Sequence, residues 1–311
     1  MRFAKAVGGF AVLAIAGGVG GVALTRPETV PPSALSPRNA DLKNGATMFD
    51  IGGCSSCHAT EKQDNRLLLG GGHELETPFG TFVVPNISSD PKAGMGAWTE
   101  PQFVSAMLKG TGRNGEHLFP AFPYTSYQRM KLDDVRDLHA FMKTLPAVAT
   151  PSKPHRLSFP FNVRLAVGGW KLLYLDGRPF APDPAKDATL NRGAYLVEGP
   201  GHCAECHSGR DPLGGIKASQ RFAGGTEATG RGWVPNMTPH ADGLAAWSEK
   251  DIAFFLESGM TPESYAVGSS MKDVIANTSK LPPEDRRAIA LYIKSLPSKP
   301  GVKPKQPEPS K

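Results

Sequence analysis

The sequence predicts an all-α protein built from two tandem copies of one small helical domain, preceded by a transmembrane or signal helix. A five-residue motif with two cysteines and a histidine occurs twice, and the residues after each copy follow in the same order. No convincing run of alternating apolar and polar residues marks a half-buried strand. The 311 residues are enough for about two domains.

The repeated motif is Cys54-Ser55-Ser56-Cys57-His58 in the first half and Cys203-Ala204-Glu205-Cys206-His207 in the second, and together they use all four cysteines. C-x-x-C-H is typical of c-type haem attachment. In a helical turn, residues i, i+3 and i+4 share a face, so both sulfurs can reach the two vinyl groups of one porphyrin. The histidine then lies below the iron as its proximal ligand. We therefore expect two covalently bound haem c groups, with Cys54, Cys57 and His58 holding the first and Cys203, Cys206 and His207 the second.

Other uses of paired cysteines fit the motif less well. Zinc ribbons separate their C-x-x-C pairs by about 15–20 residues, whereas about 150 residues lie between the pairs here. A thioredoxin-like redox centre predicts one motif rather than two. Disulfides would suit an oxidising compartment but leave both histidines unexplained.

The amino terminus predicts export. Arg2 and Lys5 precede an apolar run from Ala6 to Leu24 that is interrupted only by glycines. Nineteen residues at about 1.5 Å each reach about 28 Å, close to the hydrocarbon thickness of a bilayer. A cleaved signal peptide and an uncleaved anchor look alike in such a run, and the lack of a convincing cleavage site favours the anchor. We expect the rest of the chain on the periplasmic side of the bacterial inner membrane.

The charge balance argues against a nucleic-acid partner. The formal net charge is +6, and two haems would add about four negative propionate charges. The sequence also has no basic stripe interleaved with aromatic residues.

The internal repeat appears when the two motifs are superposed. Val84-Pro85-Asn86-Ile87 then corresponds to Val234-Pro235-Asn236-Met237, and Trp98 corresponds to Trp247. Leu145-Pro146 corresponds to Leu296-Pro297. We interpret Asn86 and Asn236 as loop braces or donors near the haem edge, and Trp98 and Trp247 as core residues or donors to a haem propionate.

Helix signals place the elements of each copy. Thr99 and Gln102 form a capping box before one helix, which Gly110 ends, and Ser248 and Gly259 do the same in the second copy. Final helices are expected at about 133–144 and 284–295, with acidic residues at their starts and proline after their ends. The expected segments are an anchor or signal peptide at 1–25, a linker at 26–39, a first domain at 40–147, a segment packed across both domains at 148–187, a second domain at 188–298, and a disordered tail at 299–311.

The distal iron ligands are less clear than the proximal ones. In the second copy Met271 lies in the loop before the last helix, whereas Met237 and Met260 look like packing residues. In the first copy the corresponding position is Phe122, which cannot bind iron. Met130 is the favoured donor there, with His117 or an open site as alternatives. The expected metal ligands are therefore His58, Met130, His207 and Met271.

These motifs resemble the membrane-bound cytochrome c subunits of bacterial alcohol, gluconate, aldehyde and isoquinoline-type dehydrogenases. The resemblance covers about residues 40–298. The chain departs from the family in having two rather than three haem motifs and in having Phe122 in place of a common methionine. The stretches that carry it include 53–58, 85–88, 96–99, 117–124, 192–197 and 199–203. It implies two class I-type cytochrome c domains, a periplasmic dehydrogenase partner, and quinone or a terminal oxidase as the acceptor.

Two function classes remain open at this point. The first is an electron-transfer subunit without substrate chemistry of its own. The second is a dihaem enzyme, such as a peroxidase or a sulfur-compound oxidase, which would need an open distal site with His117 or Glu116 as an acid–base group.

Overall fold

The structure is a computed structural model that describes residues 20–227 and 232–302. Within these residues the fold is mainly helical. The first half contains α1 (Leu42–Ile51), α2 (Cys54–His58), α3 (Glu100–Lys109), α4 (Tyr124–Tyr127) and α5 (Leu132–Met142). Helix α6 (Ala166–Tyr174) lies between the halves. The second half contains α7 (Ala188–Glu198), α8 (Glu249–Ser258), α9 (Met271–Thr278) and α10 (Pro283–Ser295).

The predicted helix boundaries agree with local chemistry. At the start of α3 the Gln102 side chain accepts the Thr99 N–H at 3.0 Å, and at the start of α8 the Ser248 and Asp251 side chains accept each other's backbone N–H. Both helices end at a left-handed glycine, Gly110 (φ 58°) and Gly259 (φ 72°), a conformation that glycine adopts without a Cβ clash. The capping predictions are confirmed.

One helix crossing is repeated in both halves. Helix α1 packs against α5, and α7 packs against α10. A Cβ on Gly45 of α1 would lie 2.3 Å from the Asp137 carbonyl oxygen, and one on Gly193 of α7 would lie 1.9 Å from that of Ala288. Glycine therefore permits each pair of helix backbones to approach closely enough to cross.

Short strands correct the all-α prediction. Antiparallel strands β1 (Glu74–Thr77) and β2 (Gly80–Val83) pair with Glu74 opposite Val83, and β3 (Arg156–Leu157) extends this sheet beside β2. In the second half β4 (Gly225–Thr226) pairs with β5 (Trp233–Val234). Strands this short carry too few residues for alternation to stand out, and the turn of the first hairpin depends on Gly80 (φ 119°).

The segment between the halves makes hydrogen bonds to both of them. In α6, Lys171 Nζ donates to the carbonyls of Lys109 (2.8 Å) and Gly110 (2.7 Å) at the end of α3. On the other side, Trp170 Nε1 donates to the Leu213 carbonyl at 3.0 Å, and the Tyr174 hydroxyl donates to Asp211 at 2.7 Å.

The terminal segments differ in part from expectation. Residues 1–19 of the expected anchor, and 303–311 of the expected tail, lie outside the described residues. Among the described residues, no helix is both long enough and apolar enough to cross a membrane. The start of the tail is ordered, because the Lys299 carbonyl accepts the Asn236 side chain at 2.8 Å and the Val302 N–H donates to Ala223 at 2.9 Å.

Residues 26–39 are packed rather than free. The Val30 N–H donates to Ser105 Oγ at 2.9 Å, and Arg38 forms an ion pair with the buried Asp137. Val30 and Leu35 also pack against the hydrophobic core. The expected linker therefore belongs structurally to the first half.

Candidate haem sites

The two motif histidines are oriented by the same contact. Nδ1 of His58 lies 2.8 Å from the Pro85 carbonyl oxygen, and Nδ1 of His207 lies 2.8 Å from that of Pro235. The carbonyl can only accept, so Nδ1 carries the proton and Nε2 is left as the nitrogen that can bind a metal. Burial lowers the pKa of His58 to about 4 and also lowers that of His207, so both imidazoles are neutral near pH 7. This is the form that a haem iron requires.

None of the four cysteines forms a disulfide, and two of them lie beside each histidine. Cys54 and Cys203 pack against the hydrophobic core, whereas Cys57 and Cys206 are exposed. Burial raises the pKa of Cys54 and of Cys203 to about 12, so neither sulfur has the lowered pKa of a reactive redox thiol. The sulfurs and imidazoles of each motif thus suit haem c.

The backbones of the two motifs differ in detail. Residues 54–58 form the short helix α2, whereas Cys203–Glu205 form a 3₁₀ turn. Each is preceded by a left-handed residue, Gly53 (φ 57°) in the first copy and His202 (φ 38°) in the second. The sequence gives no sign of this strained position at His202.

The proline-asparagine stretches brace the loops that carry the accepting carbonyls. Asn86 is 4% exposed, and its Nδ2 donates to the carbonyls of Val148 and Thr150 at 2.7 and 2.8 Å. Asn236 is 2% exposed, and its Oδ1 accepts the N–H and the hydroxyl of Thr238, both at 2.8 Å. The structure therefore supports the loop-brace interpretation of both residues.

Trp98 and Trp247 are half-buried. Trp247 packs edge-on against Phe255 with ring centroids 5.3 Å apart. The propionate role predicted for both residues stays a prediction.

Met130 lies in the hydrophobic core of the first half. It is 2% exposed, and its backbone N–H donates to the Tyr127 carbonyl between α4 and α5. Cys54 and Phe122 pack against the same core cluster. That cluster extends into the second half and also contacts Cys203 and Met271, so it does not by itself place Met130 beside the first motif, and its role as an iron ligand stays a prediction.

His117 occupies a different environment. It is 4% exposed and packs against α6, where a Cβ on Gly168 would lie 2.8 Å from His117 Nε2. Arg164 Nη1 donates to its carbonyl oxygen at 2.6 Å. Burial, followed by the charge of Lys171, lowers the pKa of the His117 imidazole. These contacts place it against the interdomain segment.

Met271 begins helix α9 and does not lie in an open loop, which corrects the sequence expectation. The nearby Ser269 has a left-handed backbone (φ 54°), and Met271 packs partly buried against the core. The two other methionines considered as ligands in the second copy have different contacts. Met237 is 6% exposed with its N–H donating to Phe222, and Met260 pairs with Ala266 in an isolated β-bridge.

Each half holds the motif of the other, which the sequence did not predict. Asn277 of α9 accepts a hydrogen bond from Ser55 Oγ at 3.0 Å and donates to Ser56 Oγ at 2.7 Å, both in the first motif. Glu205 of the second motif accepts hydrogen bonds from Thr125 and Ser126 of α4 at 2.9 and 2.8 Å. We call these two sets of contacts the reciprocal clasp. The only signal in the sequence is that the motif positions between the cysteines are mostly polar.

A second contact joins the residues just before the two motifs. His202 Nε2 and the Tyr127 hydroxyl each lie 3.2 Å from the Gly52 carbonyl, and the Tyr127 and His202 rings meet edge-on at 5.5 Å. The two motifs therefore lie on facing sides of one interface between the halves.

Comparison with known proteins identifies the family of the chain. The cytochrome c family model matches residues 42–146. The chain is 46% identical over 292 residues to a protein named diheme cytochrome c-type from Cereibacter sphaeroides, covering 93% of this chain and 97% of that protein. It is 32% identical to the cytochrome subunit of the fructose dehydrogenase of Gluconobacter japonicus, covering 88% of this chain and 56% of that protein.

A third relative is the cytochrome c subunit of the quinone-dependent alcohol dehydrogenase of Gluconacetobacter polyoxogenes, which is 37% identical. That match covers 84% of this chain but only 57% of the relative, so the chain spans little more than half of the longer cytochrome subunit. The match to the relative from Cereibacter sphaeroides, by contrast, runs over nearly the full length of both proteins. The chain belongs to the cytochrome c family.

Proposed function

We propose that the chain is a dihaem c-type cytochrome that accepts electrons from a dehydrogenase subunit and passes them to the respiratory chain on the periplasmic side of the membrane. The observation that carries the proposal is the repeated pair of thiols beside a neutral histidine whose Nδ1 is tied to a proline carbonyl. Cytochrome subunits of alcohol, fructose and gluconate dehydrogenases among the relatives support the role of electron carrier.

The residues that hold the cofactor follow from the two motifs. In each half two cysteines supply the thioether sulfurs and one histidine supplies the proximal nitrogen. Cys54, Cys57 and His58 form the first set, and Cys203, Cys206 and His207 the second. Bound haem c supplies a one-electron Fe(III)/Fe(II) couple. Met130 and Met271 are the proposed distal ligands, and thioether ligation raises the potential relative to a second histidine.

The chain's own contribution is positioning. The Pro85 and Pro235 carbonyls hold the imidazoles in one tautomer. Each carbonyl accepts a hydrogen bond from Nδ1–H, and this bond increases the basicity of Nε2. We propose that residues 40–147 and 188–298 are the two cytochrome c domains. The reciprocal clasp and the Gly52 contacts then fix the two motifs relative to each other.

The partners are proposed from the relatives. A dehydrogenase subunit would supply electrons, and membrane quinone or a terminal oxidase would receive them. An exported location suits covalent haem attachment, and the apolar run at 6–24 would attach the chain to the membrane.

The contacts of His117 and Glu116 favour the carrier over a dihaem enzyme. Glu116 accepts the Asn114 N–H at 2.9 Å, and His117 packs against Gly168 of the interdomain segment. Glu116 is thus hydrogen-bonded within its own loop, and His117 is buried against the interdomain segment.

Intact mass and ligand binding test the proposal. Chain matured in a host competent for haem c attachment should gain roughly 1.2 kDa for two haems. The ferrous protein should not bind carbon monoxide at either site. A mass without the added groups would end the proposal, and stoichiometric carbon monoxide binding to one haem would favour the enzyme. Co-purification followed by mass spectrometry would identify the dehydrogenase.

A further inference from the structure

Helix α6 has an inverted pattern for a surface helix. Its outward stripe is Leu165, Ala166, Gly169, Leu172 and Leu173, all exposed and recurring on one face of the helix. Leu172 and Leu173 are 65% and 66% exposed. A helix on a water-soluble surface normally turns its apolar stripe inward and its charged residues outward.

The inward side of α6 carries Val167, Gly168 and the one charged residue of the helix. Lys171 is 8% exposed, and burial lowers its pKa to about 8. Its Nζ donates to the Lys109 and Gly110 carbonyls, while Trp170 and Tyr174 bond to the second half. These bonds fasten α6 to both halves, so the helix cannot roll over and bury its leucines.

The preceding turns carry further exposed apolar side chains. Phe159, Phe161 and Val163 are 81%, 41% and 42% exposed. Turn hydrogen bonds from Val163 to Pro160 and from Ala166 to Val163 join this stretch to α6. Six of the fifteen exposed large apolar side chains in the described residues thus fall within 159–173. We call them the apolar face: Phe159, Phe161, Val163, Leu165, Leu172 and Leu173.

The amino-terminal part of the chain indicates what covers this face. A Cβ on Gly168 of α6 would lie 2.5 Å from the Thr25 carbonyl oxygen, so the chain reaches α6 directly after the apolar run 6–24. Leu24, the last residue of that run, is 77% exposed. The run is uncharged and long enough to enter a bilayer. A lipid surface that receives it would therefore lie beside the apolar face.

The charges near the apolar face agree with a lipid surface. Between 159 and 182 the sequence has one carboxylate, Asp176, and it is paired with Arg129 at 3.0 Å. Lys153 and Arg178 are exposed on either side of residues 159–173. Basic side chains beside an apolar surface are attracted to anionic lipid headgroups.

We propose that the apolar face inserts into the interfacial layer of the lipid bilayer, as a second membrane contact beside the amino-terminal run. This rests on the proposed export and membrane attachment of the chain. Two contacts would fix the rotation of the molecule on the membrane, with α6 against lipid and both halves above it.

Lipid photolabelling tests the proposal on the full-length holoprotein. The protein is reconstituted into phosphatidylcholine–phosphatidylglycerol vesicles that contain a diazirine phospholipid, and carbene adducts are mapped by peptide mass spectrometry. Adducts are expected in peptides spanning 159–175. The peptide that carries the exposed Phe254 and Tyr265 serves as the internal reference, because it is apolar but remote in sequence from both proposed contacts.

The double variant Leu172→Glu/Leu173→Glu should lower adducts in 159–175 by about tenfold or more, because charged residues partition poorly into lipid. Labelling of 6–24 and the haem spectrum should stay unchanged. Gly169→Ala is the matched control, since it keeps the stripe apolar and nothing lies within 4 Å of the added Cβ.

Three outcomes would overturn the proposal. Adducts could be confined to 6–24, or labelling of 159–175 could be no stronger than that of the Phe254 peptide. The Leu172→Glu/Leu173→Glu variant could also label as strongly as the wild type. The proposal would also fail if 159–175 stayed unlabelled in vesicles and became shielded from solvent only when a dehydrogenase partner was added. Failure of the cytochrome assignment would be visible separately, as absent covalent haem in the same samples.

Discussion

Asn277 in the second half accepts a hydrogen bond from Ser55 in the first haem motif, across 222 residues of sequence, at 3.0 Å. Its side-chain amide also donates to Ser56 at 2.7 Å, and the residue is only 1% exposed. Since Asn277 and Met271 both belong to α9, one short helix connects the first motif with the proposed distal ligand of the second. The two haem sites therefore share structural support.

Asn277→Ala should destabilise the protein by about 1–3 kcal/mol, because Ser55 is buried and would lose its partner. The loss should appear as a lower urea midpoint. Asn114→Ala, in an exposed loop, is the matched control and should change stability little. Equal losses in the two variants would contradict the clasp.

Met271→Ala should leave both haems covalently attached and convert only the second to a high-spin spectrum. Met271 is the first residue of α9 and only partly buried, so the helix should survive the truncation. Absorption and electron paramagnetic resonance spectra measure the change. Met260→Ala should leave the spectrum as it is, and an unchanged spectrum for Met271→Ala would exclude it as the ligand.

Met130→Leu separates ligation from packing in the first half. Met130 is almost fully buried, so alanine would add a cavity cost of about 2–5 kcal/mol that obscures the spectrum, whereas leucine keeps the volume. We expect high-spin conversion of the first haem with little loss of stability. A low-spin spectrum in Met130→Leu would reject the sulfur as ligand, and His117→Ala should be spectrally silent.

Asp137 should make stability depend on pH in the acid range. Burial alone would raise its pKa, but hydrogen bonds from Arg38, Asn44 and the Asp41 N–H outweigh burial and lower it. The folded state then binds fewer protons than the unfolded state. This stabilisation is fully present above the unfolded pKa of about 3.9 and is lost as pH falls through the lower folded pKa.

Asp137→Asn should therefore cost about 2–4 kcal/mol at pH 7, and the difference from wild type should shrink below about pH 4. Urea midpoints measured from about pH 2 to about pH 7 cover both the titration of aspartate and the neutral range. Asp133→Asn removes a carboxylate that is 64% exposed and should cost less than about 1 kcal/mol. A constant difference for Asp137→Asn at every pH would show that its charge is not responsible.

The parts of the fold that are predictable from sequence depend on local chemistry. The capping box at Thr99, the left-handed Gly110 and the covalent haem motifs each involve residues within a few positions of one another. The strands are not predictable in this way, because two to four residues are too few to display alternation. Met271 belongs to helix α9 rather than to the loop before it. Ser270 and Asp273 have the spacing of a capping box at this helix start, although the Ser270 side chain makes no cap hydrogen bond.

Long-range contacts could not be read from the sequence. Nothing near Asn277 indicates that it meets Ser55, because such pairs depend on how the halves dock. The same holds for His117, whose ring packs against Gly168 of the interdomain segment. Its residue type makes it a possible iron ligand, and its contacts with α6 become visible only in the fold.

Gly193→Ala should destabilise the second half more than any alanine substitution on a helix surface. An added Cβ would lie 1.9 Å from the Ala288 carbonyl oxygen and 2.9 Å from Tyr292 Cβ, so α7 and α10 would have to separate. Overpacking of this kind costs about 1–3 kcal/mol. Gly169→Ala is the matched control, because that helical glycine has open space around it and alanine there should be neutral or stabilise by about 0.4–1 kcal/mol. Thermal unfolding of both variants, followed by far-ultraviolet circular dichroism, decides the comparison. If Gly193→Ala unfolds at the same temperature as Gly169→Ala, the close crossing of α7 and α10 is wrong.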